Sequence, residues 1–232
     1  MKTTITVFFT SFLLLLFLSC AFAEVKIIAL SGSVHIRRGI EENWTKAALG
    51  DALKPEDSIE LGKKSSATLL VDGKTKIFLA EESIVDVSDL RSLTQDDLLL
   101  LLAMESVRSV PERPSLDEGM PTQQTTTIHG ASRDESPPET IPDKESGSKT
   151  LRGTKTLYDN GYYATCILKV KAVYRLCPDL KAAIDTRIMV ADAMEKMNVR
   201  NEALNEYVSL KTEKLSDSQK KLVEQKINIL SK

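Results

Sequence analysis

Ser66-Ala67-Thr68-Leu69-Leu70-Val71-Asp72-Gly73-Lys74-Thr75-Lys76-Ile77-Phe78-Leu79 decides how the first half of the chain folds. Two apolar, β-prone runs flank an Asp-Gly pair, which is a hairpin signal. A two-residue turn would set Val71 against Lys74 and Leu69 against Lys76, placing lysines beside core residues. A three-residue loop over Asp72, Gly73 and Lys74 pairs Val71 with Thr75, Leu69 with Ile77 and Ala67 with Leu79. That register keeps one face apolar, and the buried face dictates register. The three-residue loop is therefore expected.

The same grammar extends upstream and a little downstream. Residues 25–30, 34–37, 59–61 and 84–87 are further short apolar runs, separated by turn residues at Gly32, Gly39, Gly50-Asp51 and Gly62. Short strands at close spacing predict a small all-β sandwich or barrel-like domain over residues 24–88. A helix follows at about 94–109, with Thr94 as N-cap, Asp96 and Asp97 at the positive end of its dipole, and Pro111 beyond it. Its Leu98–Leu102 run is apolar around the whole circumference, more than one contact face covers. Residues 89–111 are thus read as a helix packed on or beside the β domain and covered by neighbouring chain, or as a partner interface.

Residues 112–147 hold Pro114, Pro121, Pro137, Pro138 and Pro142 among Ser, Thr and acidic residues. No aromatic occurs between Phe78 and Tyr158. So little apolar surface cannot offset the entropy of ordering, and a disordered linker is expected. Helical periodicity returns over residues 148–232. Tyr163, Ile167, Val170 and Tyr174 share one face; Leu180, Ile184, Ile188, Ala191 and Met194 share another; Ala203, Tyr207 and Leu210 mark a third helix. The last helix starts at Ser216, where Ser216 and Gln219 form a capping box. Breaks are expected at Asn160-Gly161, Cys177-Pro178 and Asn198. The fold class is α+β in separate domains.

The first 23 residues speak to compartment. Lys2 precedes an apolar run that ends at Ala21-Phe22-Ala23, before Glu24. A positive start, an apolar middle and small residues at a cut site describe an export signal. Cleavage between Ala23 and Glu24 is one reading. Phe17-Leu18-Ser19-Cys20 read as a lipobox, with Cys20 acylated, is another. An uncleaved anchor is disfavoured by the Ala-x-Ala site. The expected location is periplasmic or secreted, with a membrane-anchored lipoprotein as the alternative. Loss of Lys2 with the leader makes the net charge one unit more negative than the −2 of the whole chain, which does not suit nucleic-acid binding. Cys166 and Cys177 remain after cleavage. On one helix they would lie about 16 Å apart along its axis, too far for a disulfide.

Chemical signatures are sparse. His35 alternates with Val34 and Ile36 on a strand, and His129 lies in the linker. Neither has a nucleophile nearby in sequence, and no Gly-x-Ser-x-Gly or His-Glu-x-x-His occurs. Gly147-Ser148-Lys149-Thr150 lacks the glycines of a phosphate loop. Cysteine spacing is not of the metal-binding kind. No cofactor, metal or catalytic activity is expected.

Gly50-Asp51-Ala52-Leu53, then Asp57, Ile59, Gly62, Ser66-Ala67, Leu69 and Asp72-Gly73, resembles the FecR domain family. Gly32-Ser33-Val34 and Trp44 fit its opening strand and aromatic position. The resemblance covers residues 25–88 and implies a small β domain outside the inner membrane. Family members relay an iron-siderophore signal through a cytoplasmic tail; only Met1–Thr4 precede the apolar run here, so that role is not expected to transfer. The motif's Gly and Asp residues are the kind that build turns. Gly161-Tyr162-Tyr163 with Tyr174 and Pro178, then Ala191, Ala203 and Tyr207, resembles two degenerate tetratricopeptide repeats. These imply protein docking on the helices. The functional expectation is an exported, non-catalytic adaptor of the cell envelope. Its helices would hold a protein partner, and its β domain an envelope polymer or protein, with Trp44 either a contact or, equally, the core aromatic of the β unit. The alternatives are an envelope sensor and an enzyme with an unrecognised carboxylate site.

Overall fold

The computed structural model describes residues 25–41, 43–108 and 143–232. It divides into two compact units, one ending at Ser88 and one beginning at Asp89. The first is built of β-strands and the second is all-helical, an α+β layout. The expected leader with Cys20, Ala23 and Glu24, His129, and the linker up to residue 142 lie outside the described residues.

The β unit holds two four-stranded antiparallel sheets. The first has the order β4(Ala52–Leu53), β1(Val25–Ser31), β6(Ser66–Val71), β7(Thr75–Leu79). The second runs β3(Trp44–Lys46), β2(Val34–Arg37), β5(Ser58–Leu61), β8(Ile84–Asp86). The decisive hairpin has the expected register: Val71 opposite Thr75, Leu69 opposite Ile77, Ala67 opposite Leu79. Asp72 and Gly73 both take positive φ, 53° and 65°, and the Lys74 amide donates to the Val71 carbonyl at 3.1 Å. Leu69, Ile77 and Leu79 are fully buried, while Phe78 on the other face is exposed. Two strands escape the sequence pattern. β3 carries Trp44-Thr45-Lys46, and β4 has only two residues, so neither offers an alternation to detect.

The chain passes between the sheets five times, and two of these crossings, at residues 32–33 and 62–65, are hydrogen-bonded together. The Gly62 amide donates to the Ser33 carbonyl at 2.9 Å, and the Ser33 amide donates to Ser65 Oγ at 2.8 Å. Gly32 sits here at φ +78°. A Cβ on it would stand 2.5 Å from Ser65 Oγ and 2.9 Å from both the Lys64 carbonyl oxygen and Ser65 Cα. Two of those neighbours are backbone and cannot rotate away. Gly32→Ala is expected to cost the β unit about 3 kcal/mol through left-handed strain and overpacking together, read as a lowered urea midpoint of Trp44 fluorescence. An unchanged midpoint would mean the corner yields freely.

The helical unit contains α1(Gln95–Arg108), α2(Lys144–Asp159), α3(Tyr163–Leu176), α4(Ile184–Lys196), α5(Arg200–Leu210) and α6(Asp217–Leu230). The breaks fall at the expected places, with Gly161 at φ +83° and Asn198 at φ +58° closing two of them. Ser216 and Gln219 form the capping box, each side chain accepting the other's amide. Thr94 caps α1, its Oγ1 accepting the Asp97 amide at 3.2 Å. One cluster buries Ile167 and Val170 of α3 with Val190 and Met194 of α4; a second gathers Ala191, Tyr207, Leu210 and Val223. Each large side chain so buried contributes roughly 1.5–3 kcal/mol.

Two expectations need correction. The helix within residues 89–111 belongs to the helical unit: Leu98 is fully buried in the cluster of Ile167 and Val170. Asp89 also pairs with Lys169 at 3.0 Å, and Arg175 with Glu105 at 2.6 Å. Leu100, Met104 and Val107 remain exposed on α1. The second correction is the linker boundary. Helix α2 starts at Lys144, inside the stretch assigned to disorder, because Asp143 accepts the Ser146 amide at 2.6 Å as N-cap and Glu145 pairs with Lys149. Gly147 lets this polar turn pack closely, since a Cβ there would come within 2.8 Å of Leu180 Cδ1.

Candidate functional site

The first helices of the two antiparallel pairs, α2 and α4, lie along one side of the helical unit with α6. Between them runs an open trough of about 700 Å³. Leu151 of α2, Leu180 of the short 3-10 turn before α4, Ile188 and Met189 of α4, and Leu222 of α6 give it an apolar lining. Ile188 and Met189 face it because the remaining face of α4 is spent elsewhere. Val190 and Met194 enter the core, and Arg187 is bound to α5.

One end of the trough is polar. Tyr158 donates its hydroxyl to Asp192 Oδ2. Lys226 Nζ donates to Asp192 Oδ1 at 3.1 Å and to Glu195 Oε1 at 2.6 Å, and the Tyr207 hydroxyl donates to that same Glu195 oxygen at 3.0 Å. Four helices are joined by these bonds. Burial raises the Asp192 pKa, but the Tyr158 and Lys226 hydrogen bonds outweigh it and leave the carboxyl below its usual range. Burial works against the Lys226 ammonium, and its bonds to Glu195 and Asp192 overcome that, so its pKa is raised. Both tyrosine hydroxyls are pushed up, first by burial and then by the carboxylate each faces. At neutral pH Asp192 and Lys226 therefore carry opposite charges and both phenols are protonated.

A second cleft, of about 540 Å³, lies between α1, α3, α4 and α5, with Leu99, Leu102, Val170 and Val190 on its walls. The Tyr174 hydroxyl is buried, and burial pushes it up to about 12.

The residues singled out by the β-domain motif occupy turns and core. Asp51 Oδ2 accepts the Ala48 amide at 2.8 Å, and Gly50 takes φ +91°. Leu53 and Ile59 are buried. Asp57, 1% exposed, accepts the Lys54 amide at 2.9 Å, the Gly39 amide at 3.1 Å and Arg38 Nη1 at 2.7 Å. Gly62 lies at a sheet crossing, and Asp72 and Gly73 form the hairpin loop.

Trp44 stands elsewhere, half-buried at the start of a cross-strand row on the second sheet. Arg37 lies over its ring at 5.4 Å, Arg37 Nη2 donates to Ser58 Oγ at 3.0 Å, and Ser58 Oγ donates to Asp86 Oδ1 at 2.5 Å. His35 is on the same face, opposite Lys46 and Glu60. Cys166 and Cys177 form no disulfide; burial pushes the Cys166 thiol up to about 12. Among the described residues no cluster of His, Cys, Asp and Glu is arranged to hold a metal ion, and no helix is long and apolar enough to cross a membrane.

Nothing in the sequence singled out Asp192, Glu195 or Lys226. The available signals were the i, i+3 spacing of the two carboxylates on α4 and the i, i+4 spacing of Leu222 and Lys226 on α6. Both are common on solvated helices. No family model matches the chain, and neither a curated protein nor a solved structure does.

Proposed function

We infer that this chain is an exported, non-catalytic adaptor of the cell envelope that docks a protein segment in the α2–α4–α6 trough. The observation that carries the reading is the trough itself: an open apolar channel with its ionisable groups engaged by partners. A surface of this kind binds by exclusion of water and shape. Paired antiparallel helices with a final single helix support the tetratricopeptide-like reading. Glycine and aspartate at the β-unit turns support the FecR-like reading of residues 25–88. The half-buried Trp44 would be that unit's contact with an envelope polymer or protein. Export rests on the leader pattern of residues 1–23, with cleavage before Glu24 or acylation at Cys20.

The test places a photocrosslinking amino acid at Met189, in the trough, and separately at Val208, 48% exposed on α5. The full-length chain is expressed in its own cells and irradiated. A discrete adduct from Met189 and none from Val208 is expected. Equal labelling from both positions, or none from Met189, would overturn docking in the trough. The intact mass of the recovered protein reads the leader, beginning at Glu24 after simple cleavage or at an acylated Cys20.

A further inference from the structure

The lining of the trough also defines what fits it. Three basic residues, Arg152, Lys155 and Lys226, face three acidic ones, Asp159, Asp185 and Asp192. Lys155 pairs with Asp159 at 2.6 Å, Asp185 accepts from Gln219 at 2.7 Å, and Asp192 is held by Tyr158 and Lys226. A ligand of either net charge therefore meets as much repulsion as attraction, and burying its charge against Leu151, Ile188 and Leu222 is unfavourable. The balance of charge selects an uncharged occupant.

One polar requirement remains. An ammonium has three hydrogens. Lys226 gives two, to Asp192 and Glu195, lies 6.0 Å from the centroid of the Tyr207 ring, and lines the trough. The two carboxylates hold the ammonium in place, so little side-chain entropy is lost when it meets a ligand. We propose that the trough binds an uncharged, aliphatic peptide segment. Its side chains lie against Leu151, Ile188 and Leu222, and one backbone carbonyl accepts the third hydrogen of Lys226. An open channel bounded by three helices suits an extended chain, and its charged margins tolerate the solvated peptide backbone on either side. The proposal rests on the docking reading and specifies its ligand.

The experiment measures fluorescence anisotropy with the full-length protein and four labelled probes. One is the neutral nonapeptide Gly-Ser-Leu-Ala-Leu-Leu-Ala-Ser-Gly, capped at both ends. Two carry Asp or Lys in place of the central leucine, and the last is a labelled dodecanoate. The neutral peptide is expected to bind about tenfold or more tightly than either charged peptide, from the cost of burying a charge. Leu222→Asp, at a position 38% exposed and so tolerant of substitution, should weaken the neutral peptide by a similar factor. Lys226→Met should weaken it too, with circular dichroism confirming that the variant is folded. If Lys226→Met does not fold, Leu222→Asp and the charge series still decide. Preference for a charged peptide, binding of dodecanoate alone, no binding by any probe, or unchanged binding by Leu222→Asp each overturns the proposal. A trough that crosslinks a partner from Met189 yet prefers a charged peptide has lost this inference and kept the docking reading.

Discussion

Asp57→Ala is expected to lower the stability of the β unit by about 3 kcal/mol. The carboxylate is 1% exposed and accepts the Lys54 and Gly39 amides and the Arg38 guanidinium. Alanine leaves two backbone donors unsatisfied, and each orphaned donor costs roughly 1–3 kcal/mol. Asp57→Asn keeps one acceptor oxygen but turns a donor toward the remaining partner, so its loss should be smaller than that of alanine. Trp44 is the chain's one tryptophan and lies in this unit. Its fluorescence during urea unfolding therefore reads the β unit apart from the helices, which a signal from the whole chain would not do. A midpoint unmoved by alanine would show that water replaces the carboxylate without cost.

The same residue makes the unit sensitive to acid. Burial raises the Asp57 pKa, but the hydrogen bonds from Lys54, Arg38 and Gly39 more than reverse this, and the carboxyl ionises below its ordinary 3.8. A depressed folded-state pKa contributes stability that is complete above the unfolded-state value. That contribution disappears as pH falls through the folded-state value. The gap between the parent protein and Asp57→Ala should therefore narrow below about pH 4. A gap that stayed constant to lower pH would assign the loss to packing instead of charge.

The sequence carried the β unit where strand residues alternate and turns demand special backbone. Leu69 opposite Ile77 follows from the pleat alone, since any other register would expose leucine and bury lysine. The helix boundaries at Gly161, Asn198 and Ser216 were likewise legible, because a positive φ or a capping side chain is local chemistry. What was not legible is long-range. Leu98–Leu102 announced a helix in need of cover but could not say which residues would cover Leu98. The first turn of α2 looks disordered by composition; its order depends on Asp143 and on Leu180, more than thirty residues away, packing against Gly147.

The trough was equally hidden. Tyr158, Asp192 and Lys226 come from three helices, and no spacing rule links them. The β-domain motif, by contrast, drew attention to Asp51, Asp57 and Asp72, whose observed surroundings are turns. A carboxylate that satisfies backbone amides, as those of Asp51 and Asp57 do, is tied to its position by the fold.

Arg187→Ala should have the largest effect on the helical unit. Arg187 is 4% exposed and uses three nitrogens: Nε to Glu206 at 2.7 Å, Nη1 to Glu213 at 2.6 Å, and Nη2 to Ser209 at 2.6 Å. It pins α4 to α5 and to the segment leading into α6. Removing one member of a buried pair costs about 3–5 kcal/mol, because the partner keeps its charge and loses its counterion. The Glu213 side chain is 41% exposed, so water screens it. That places the expected loss near the lower bound, about 3 kcal/mol, measured as a urea midpoint by far-ultraviolet circular dichroism. Arg187→Lys cannot reproduce a three-point fork with one nitrogen and should recover little. Arg187→Met combined with Glu206→Leu should recover much of the loss, since an apolar pair of similar volume removes the stranded charge. The residues on either side, Thr186 and Ile188, line the trough. Loosening α4 should therefore also weaken crosslinking from Met189 in a folded Arg187→Ala protein. If stability falls and crosslinking stays intact, α4 keeps its place without the arginine, and the trough is set by the Tyr158–Asp192–Lys226 bonds alone.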